Sequence, residues 1–399
     1  METVLSLARR VNSSVGALLL DSSGLRLETT LNLLHLASQM DPHAQGAEAA
    51  KLVDAAQALL PDMPADLRIR AALVRSRVAI HAMQYDEAAR WADEAQALAK
   101  RHRFANLLGM ALALRGEVEV RNRKFAAALP LLEEAAAVMQ RSKSARTDEN
   151  VRALISLGTT RAQLGQVDRA QRAFKRALEL STRLRLDALR GKALTGLGLV
   201  AWTRRQLDAA VTFLTQAQEA FARVEDLHEA SRVLTNLGLV RREQGRPDEA
   251  LAALEQALRI QERLDAPRDR SATLDEIAAV YLALGRHADA SRAVRRAIKE
   301  AQAGRDQARE AACQVTLARV LRAQGRRGEA IEMLRGAVSS LARLGVAHRA
   351  TTAAGELGLL LREAGAEHEA VKYLAMALQT PAPEAARGPQ GAALQELPT

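Results

Sequence analysis

The sequence predicts an all-α fold assembled as an array of helix–turn–helix units. Three observations point there. A 40-residue period runs through most of the 399-residue chain. Aromatic residues make up only 3% of it, while Ala and Leu dominate, a mix that favours helix over sheet. With only 23 Gly and 10 Pro, the chain lacks the turn residues of a β sandwich or propeller.

The period is legible in Leu154-Ile-Ser-Leu-Gly158, Leu194-Thr-Gly-Leu-Gly198 and Leu234-Thr-Asn-Leu-Gly238. Three columns of small residues follow from it. The first is Ser76, Gly116, Gly158, Gly198, Gly238, Ala278, Ala318 and Gly358. The second runs from Ala88 through Ala128, Ala170, Ala210, Ala250, Ala290 and Ala330 to Ala370. The third runs from Ala95 through Ala135, Ala177, Ala217, Ala257, Ala297 and Ala337 to Ala377. Two unbroken alanine columns are far beyond chance, and small residues at fixed helical positions let two helices approach closely. A column of large apolar residues, including Leu197, Leu237 and Ile277, precedes the first small column and fills the space between helices.

Each unit reads as two helices. Ser231–Gln244 is amphipathic, Gly245 sits where a helix cap needs it, and Pro247 opens the next helix beside Asp248 and Glu249. Pro130 falls inside a second helix and should bend or fray its start. Residues 67–379 give eight such units. Residues 25–66 hold a more degenerate one, in which Leu36-Ala37, Ala49 and Ala56 keep the spacing. Residues 1–24 read as an N-terminal capping helix. Residues 380–399, with Pro381, Pro383, Pro389 and Pro398 and no helical period, read as a disordered tail. The apolar face of each unit can be covered only by its neighbours, which predicts a right-handed superhelix, an α-solenoid of about nine units.

The small–Ala–Ala columns and the pairs Leu157-Gly158, Leu197-Gly198, Leu237-Gly238 and Leu357-Gly358 resemble the tetratricopeptide repeat family. The unit departs from that family's usual 34 residues. It is similar to the longer units of kinesin light chains, spindle adaptors and the sensor portions of bacterial transcription activators. The resemblance covers residues 67–379 and implies a non-catalytic, peptide- or protein-binding scaffold whose first helices line a concave groove.

The residues themselves carry no catalytic or cofactor motif. Gly191-Lys192 lacks the upstream Gly of a phosphate loop, Gly196-Leu-Gly198 belongs to the repeat columns, and His228-Glu229 lacks the second His of a zinc helix. One cysteine, Cys313, rules out a disulfide framework and fits a reducing compartment; its column predicts a small buried packing residue. The N-terminus lacks the order of a signal peptide, and no run approaches the ~18 apolar residues of a membrane span. These features predict a cytoplasmic chain with no enzyme activity, metal or cofactor, and they leave its oligomeric state open.

The net charge is +10, but basic residues are interleaved with acids, which argues against direct nucleic-acid binding. Projected onto the groove, Arg70, Arg152, Lys192 and Arg232 occupy equivalent positions. Arg77, Arg121, Arg242, Arg319 and Arg322 share that face, as does Asn236, whose amide can pair with a peptide backbone. The expected partner is therefore a protein or peptide segment of acidic character, held by Arg–carboxylate contacts. The competing reading is a sensor that binds a small ligand or signalling peptide and controls a separate effector such as a transcription factor.

Overall fold

The computed structural model describes residues 23–40, 42–142 and 147–378. Of the capping helix expected over residues 1–24, residues 1–22 lie outside the described residues and Ser23 and Gly24 open the first described helix; the tail expected over 380–399 also lies outside them. Among the described residues there are eighteen helices and no strand. In sequence they make nine successive helix–turn–helix repeats, eight of them wholly within one or other of two compact units, up to Arg161 and from Ala162.

In the first unit α1 (Ser23–Gln39) pairs with α2 (Pro42–Leu59), α3 (Ala65–His81) with α4 (Tyr85–Arg101), and α5 (Ala105–Arg121) with α6 (Phe125–Arg141). The unit ends within α7 (Asp148–Gln163). The second unit begins with α8 (Val167–Arg183). It continues with the pairs α9 (Asp187–Thr203) and α10 (Leu207–Arg223), α11 (Leu227–Glu243) and α12 (Pro247–Arg263), α13 (Pro267–Ala283) and α14 (His287–Ala303). The last two pairs are α15 (Gln307–Ala323) with α16 (Arg327–Arg343) and α17 (Ala347–Glu363) with α18 (Glu367–Leu378).

The small columns do what their size implies. A Cβ at Gly238 would come 2.5 Å from Cγ of Leu254 and 3.2 Å from the Ala250 carbonyl; at Gly198 it would come 2.8 Å from Leu214. The first column therefore packs onto the second helix of its own pair, between the alanine column and the Leu four residues beyond it. Ala88, Ala128, Ala170, Ala210, Ala250, Ala290 and Ala330 are all fully buried. Where the first column holds Ser76, its hydroxyl donates to the Ala88 carbonyl at 2.9 Å, so even the exception bonds to the same column.

Helix ends follow a common plan. Gly245 adopts φ +72°, its amide bonds to the Arg242 carbonyl, and Arg246 N bonds to Arg241 O. The equivalent Arg205 takes φ +62° and closes the same turn through Trp202 O. Pro247 and Pro267 open α12 and α13. Asp226 and Asp306 cap α11 and α15 by accepting from the amides of Glu229 and Arg309. Contrary to the expectation of a frayed start, α6 begins at Phe125 and continues past Pro130 to Arg141. The ring removes one amide donor, and the turn before it is held by the amides of Ala127 and Ala128 on Lys124 O.

First helices are buried on several sides and second helices on one stripe. In α9, Leu189, Leu194, Leu197, Leu199, Val200 and Trp202 are all buried, whereas α8 buries a narrower line including Ala170, Phe174 and Ala177. The cause is contact between first helices: α1 touches α3 and α3 touches α5 in the first unit, and α11 touches α13 and α13 touches α15 in the second.

Candidate functional site

The face made by the first helices is where the sequence placed its cations. In the first unit Arg70 is exposed and has no ion-pair partner among the described residues. Arg77 is drawn inward: it donates to the Ser38 carbonyl at 3.3 Å and stands 3.9 Å from Glu149. Burial, reinforced by neighbouring Arg152, lowers its pKa. Arg121 pairs with Glu117 at 3.4 Å, and Arg152 with Asp148 at 3.6 Å. The space among Arg77, Met110, Glu117, Glu149 and Arg152 is a cavity of ≈ 40 Å³, large enough for water but not for a side chain.

In the second unit Lys192 and Arg232 hold one carboxylate, Glu229, at 3.3 and 3.4 Å. Burial alone would raise the Glu229 pKa, but the two cations outweigh it and keep it below the ordinary value. Arg242 pairs with Glu276 and Arg322 with Glu363, both at 2.5 Å, and Arg319 forms a two-point bond with Glu356. Eight of the nine cations predicted for the groove are thus matched by carboxylates of the same face. The first-helix face is a charge-paired surface rather than an uncompensated basic ladder.

Asn236 behaves differently. It is only 4% exposed, yet its side chain makes no hydrogen bond to any described residue. It lines a cleft of ≈ 320 Å³ between α11, α13 and the start of α15. The floor includes Thr235 and Thr273, whose hydroxyls meet at 3.1 Å, and Gln261, which reaches in from α12. The rim carries Arg232, Arg268, Arg309 and the His228–Asp269 pair. Arg268 donates through Nε to the Gly304 carbonyl and has no carboxylate partner among the described residues. Asp306 is committed to capping α15. The cleft therefore offers amide donors and acceptors at depth and positive charge at its edge.

His228 Nε2 lies 3.3 Å from Asp269 Oδ2. The bond to Asp269 raises the His228 pKa, and in return the bond from His228 overcomes burial and leaves Asp269 below the ordinary value. Six residues further along α13, Asp275 is pushed up to about 6 by burial and by neighbouring Glu276. Cys313 is buried as its column predicted, bonded to Ser271 at 3.6 Å, with its thiol pushed up to about 12 by burial and by Asp275. Such a thiol is not a nucleophile at neutral pH. Among the described residues no group of three or more His, Cys, Asp and Glu is placed to hold a metal ion, and no helix is long and apolar enough to cross a membrane.

Sequence reasoning missed the carboxylates that neutralise the face and the polar floor of the cleft. Both had a signal at the 40-residue period. Glu149, Glu229 and Asp269 form one column, and Glu276 and Glu356 share another. Gln261 occupies a column filled elsewhere in the second unit by Ser181, Phe221, Ala301 and Leu341, all fully buried.

Fold and face together define a class: a helix–turn–helix repeat array with a charge-paired face on its first helices. The chain belongs to the tetratricopeptide repeat family, whose profile matches residues 107–183, 189–263 and 269–341, with a second repeat profile over 155–222. No curated protein matches it in sequence. Among solved structures it is similar to a Rap protein complexed with Competence and Sporulation Factor, with TM-score 0.66 and 16% identity over 93% of this chain and 100% of that one. It is also similar to aspartyl phosphate phosphatase F from Bacillus subtilis, with TM-score 0.60 and 15% identity over 93% and 96%. A third is the Rap conjugation gene regulator of the plasmid pLS20 in complex with the Phr* peptide, with TM-score 0.56 and 13% identity over 93% and 96%. At these identities the likeness is one of fold.

Proposed function

We propose that this chain is a non-catalytic, peptide-binding regulator or scaffold, and that the cleft between α11, α13 and α15 is its ligand site. The observation that carries the reading is the Asn236 side chain, nearly buried in that cleft and bonded to no other described residue. In the cleft that amide faces solvent rather than a partner among the described residues, and a ligand that bonds to it gains about 0.5–1.5 kcal/mol per hydrogen bond. The ligand is a peptide or protein segment with acidic character, because Arg268 stands at the rim bonded only to the Gly304 carbonyl, while the rim carboxylates Asp269 and Asp306 face His228 and the α15 amide of Arg309. That two fold neighbours are described with a factor or peptide bound supports a peptide ligand.

Sensing and scaffolding share this site. The sensor version, in which a bound signalling peptide changes the chain's hold on a separate effector, is favoured by the neighbour described as a gene regulator. Selecting peptides from a random display library on the immobilised chain tests the reading. The expected outcome is a family of acidic sequences that no longer bind after Asn236→Ala or Arg268→Glu. Enrichment that both variants leave unchanged overturns it.

A further inference from the structure

The cleft has a feature that peptide binding alone does not require. Gln261 is only 1% exposed, its Oε1 is closed off from solvent, and that oxygen has no hydrogen-bond partner among the described residues. It comes from a second helix, at a position where α8, α10, α14 and α16 place Ser181, Phe221, Ala301 and Leu341 in the core. Only beneath the cleft is this column an amide, and there the nearly buried Asn236 amide also lacks a partner. The two unpaired amides line one cavity.

We propose that this floor is a specificity pocket for a carboxamide side chain, an Asn or Gln of the bound peptide, next to a carboxylate that engages the rim. The proposal rests on reading the cleft as a peptide site. Gln261 lines the cleft while its Oε1 is closed to solvent, so a ligand N–H or O–H donor meets that oxygen once the amide turns about its terminal bond toward the cleft. A cationic donor would have to enter past Arg232, Arg268 and Arg309. A carboxylate brings no donor and would set its oxygens against Oε1. An extended peptide backbone also presents the N–H and C=O of one residue to the same side, so backbone pairing at this floor is the competing outcome that the probes must separate. A terminal carboxamide presents both from the same end, donating to Gln261 while accepting from the Asn236 Nδ2. Having both, it also fits whichever way the Gln261 amide turns.

N-acetyl-L-asparagine and N-acetyl-L-aspartate are the probes, since they share a carboxylate and a blocked amine and differ in the one group at issue. Ligands this small bind at about 1–10 mM, so titration is followed by NMR. The expected result is that the asparagine derivative binds the full chain at least tenfold more tightly than the aspartate one. Gln261→Leu, which places the residue of position 341 in the same column, should abolish that preference. It should leave the melting temperature unchanged or higher, because it removes an unpaired buried amide. Equal binding of both probes, each lost on Asn236→Ala, overturns the carboxamide pocket while the peptide site stands. Absence of binding by either probe overturns the pocket, and if library selection also fails, the peptide reading falls with it. A Gln261→Leu chain that melts lower and keeps the preference shows that the amide serves folding, and this too overturns the proposal.

Discussion

His228 on α11 and Asp269 on α13 meet at 3.3 Å across two successive first helices, at the rim of the cleft. Each favours the charged form of the other, raising one pKa and lowering the other. The sign of the pH dependence follows. The contribution from His228 is complete below its unfolded pKa and is lost as pH rises through the raised folded value. The contribution from Asp269 is present above its unfolded value and is lost as pH falls through the depressed folded one. The pair should therefore stabilise in the mildly acidic window between them. His228 is 57% exposed in its side chain, so the coupling is expected to be only about 0.5 kcal/mol. A double-mutant cycle of His228→Ala and Asp269→Asn by thermal melting checks it: coupling at pH 6 and none at pH 9.

Asp275 gives a second pH dependence of its own. Its folded pKa of about 6 lies above the ordinary 3.8, so its neutral form is favoured in the folded chain. The stability it contributes is complete below 3.8 and lost as pH rises through about 6. Asp275→Asn mimics the neutral form. It should raise stability at pH 8 by roughly 1–3 kcal/mol and change it little at pH 3, measured by denaturant titration at both pH values.

Glu229 determines what charge reversal does to this face. Its side chain is 13% exposed between Lys192 and Arg232. Lys192→Glu with Arg232→Glu would gather three carboxylates there. We expect a loss of roughly 1–3 kcal/mol, visible as a lower melting temperature. Restoring charge balance with Glu229→Lys in the same chain should recover most of it.

Ala257 tests the packing frame. It is fully buried in the third small column, and its neighbour on α12, Leu254, already fills the space facing Gly238. Ala257→Leu should cost roughly 1–3 kcal/mol by overfilling a close helix contact, read by thermal melting. An unchanged melting temperature would place the column on the surface.

Those columns explain why the fold was legible in the sequence. Gly198 and Gly238 recur because the Leu of the facing helix leaves no room for a Cβ, a constraint renewed in every unit. The cleft was less legible because its residues break the pattern. Asn236 was found because it lies on the predicted face. Gln261 was not, because it sits on a second helix and belongs to a core column. The cations were found without their partners because projecting one helix at a time does not show what the next helix brings opposite. Lys192 on α9 reads as free until Glu229 of α11 is set beside it.

The central claim is that a peptide binds at the cleft of the second unit. Isothermal titration of one library-selected acidic peptide tests it most directly, using the intact chain, Asn236→Ala and an outer-helix control, Arg259→Glu with Arg263→Glu. The account predicts that Asn236→Ala weakens binding about tenfold, the worth of one good hydrogen-bonded contact, while the control changes affinity less than twofold. Weakening by the control as large as that by Asn236→Ala would mean that the outer-helix charges matter as much as the cleft, and an unchanged affinity for Asn236→Ala would place the ligand elsewhere; either result contradicts the claim.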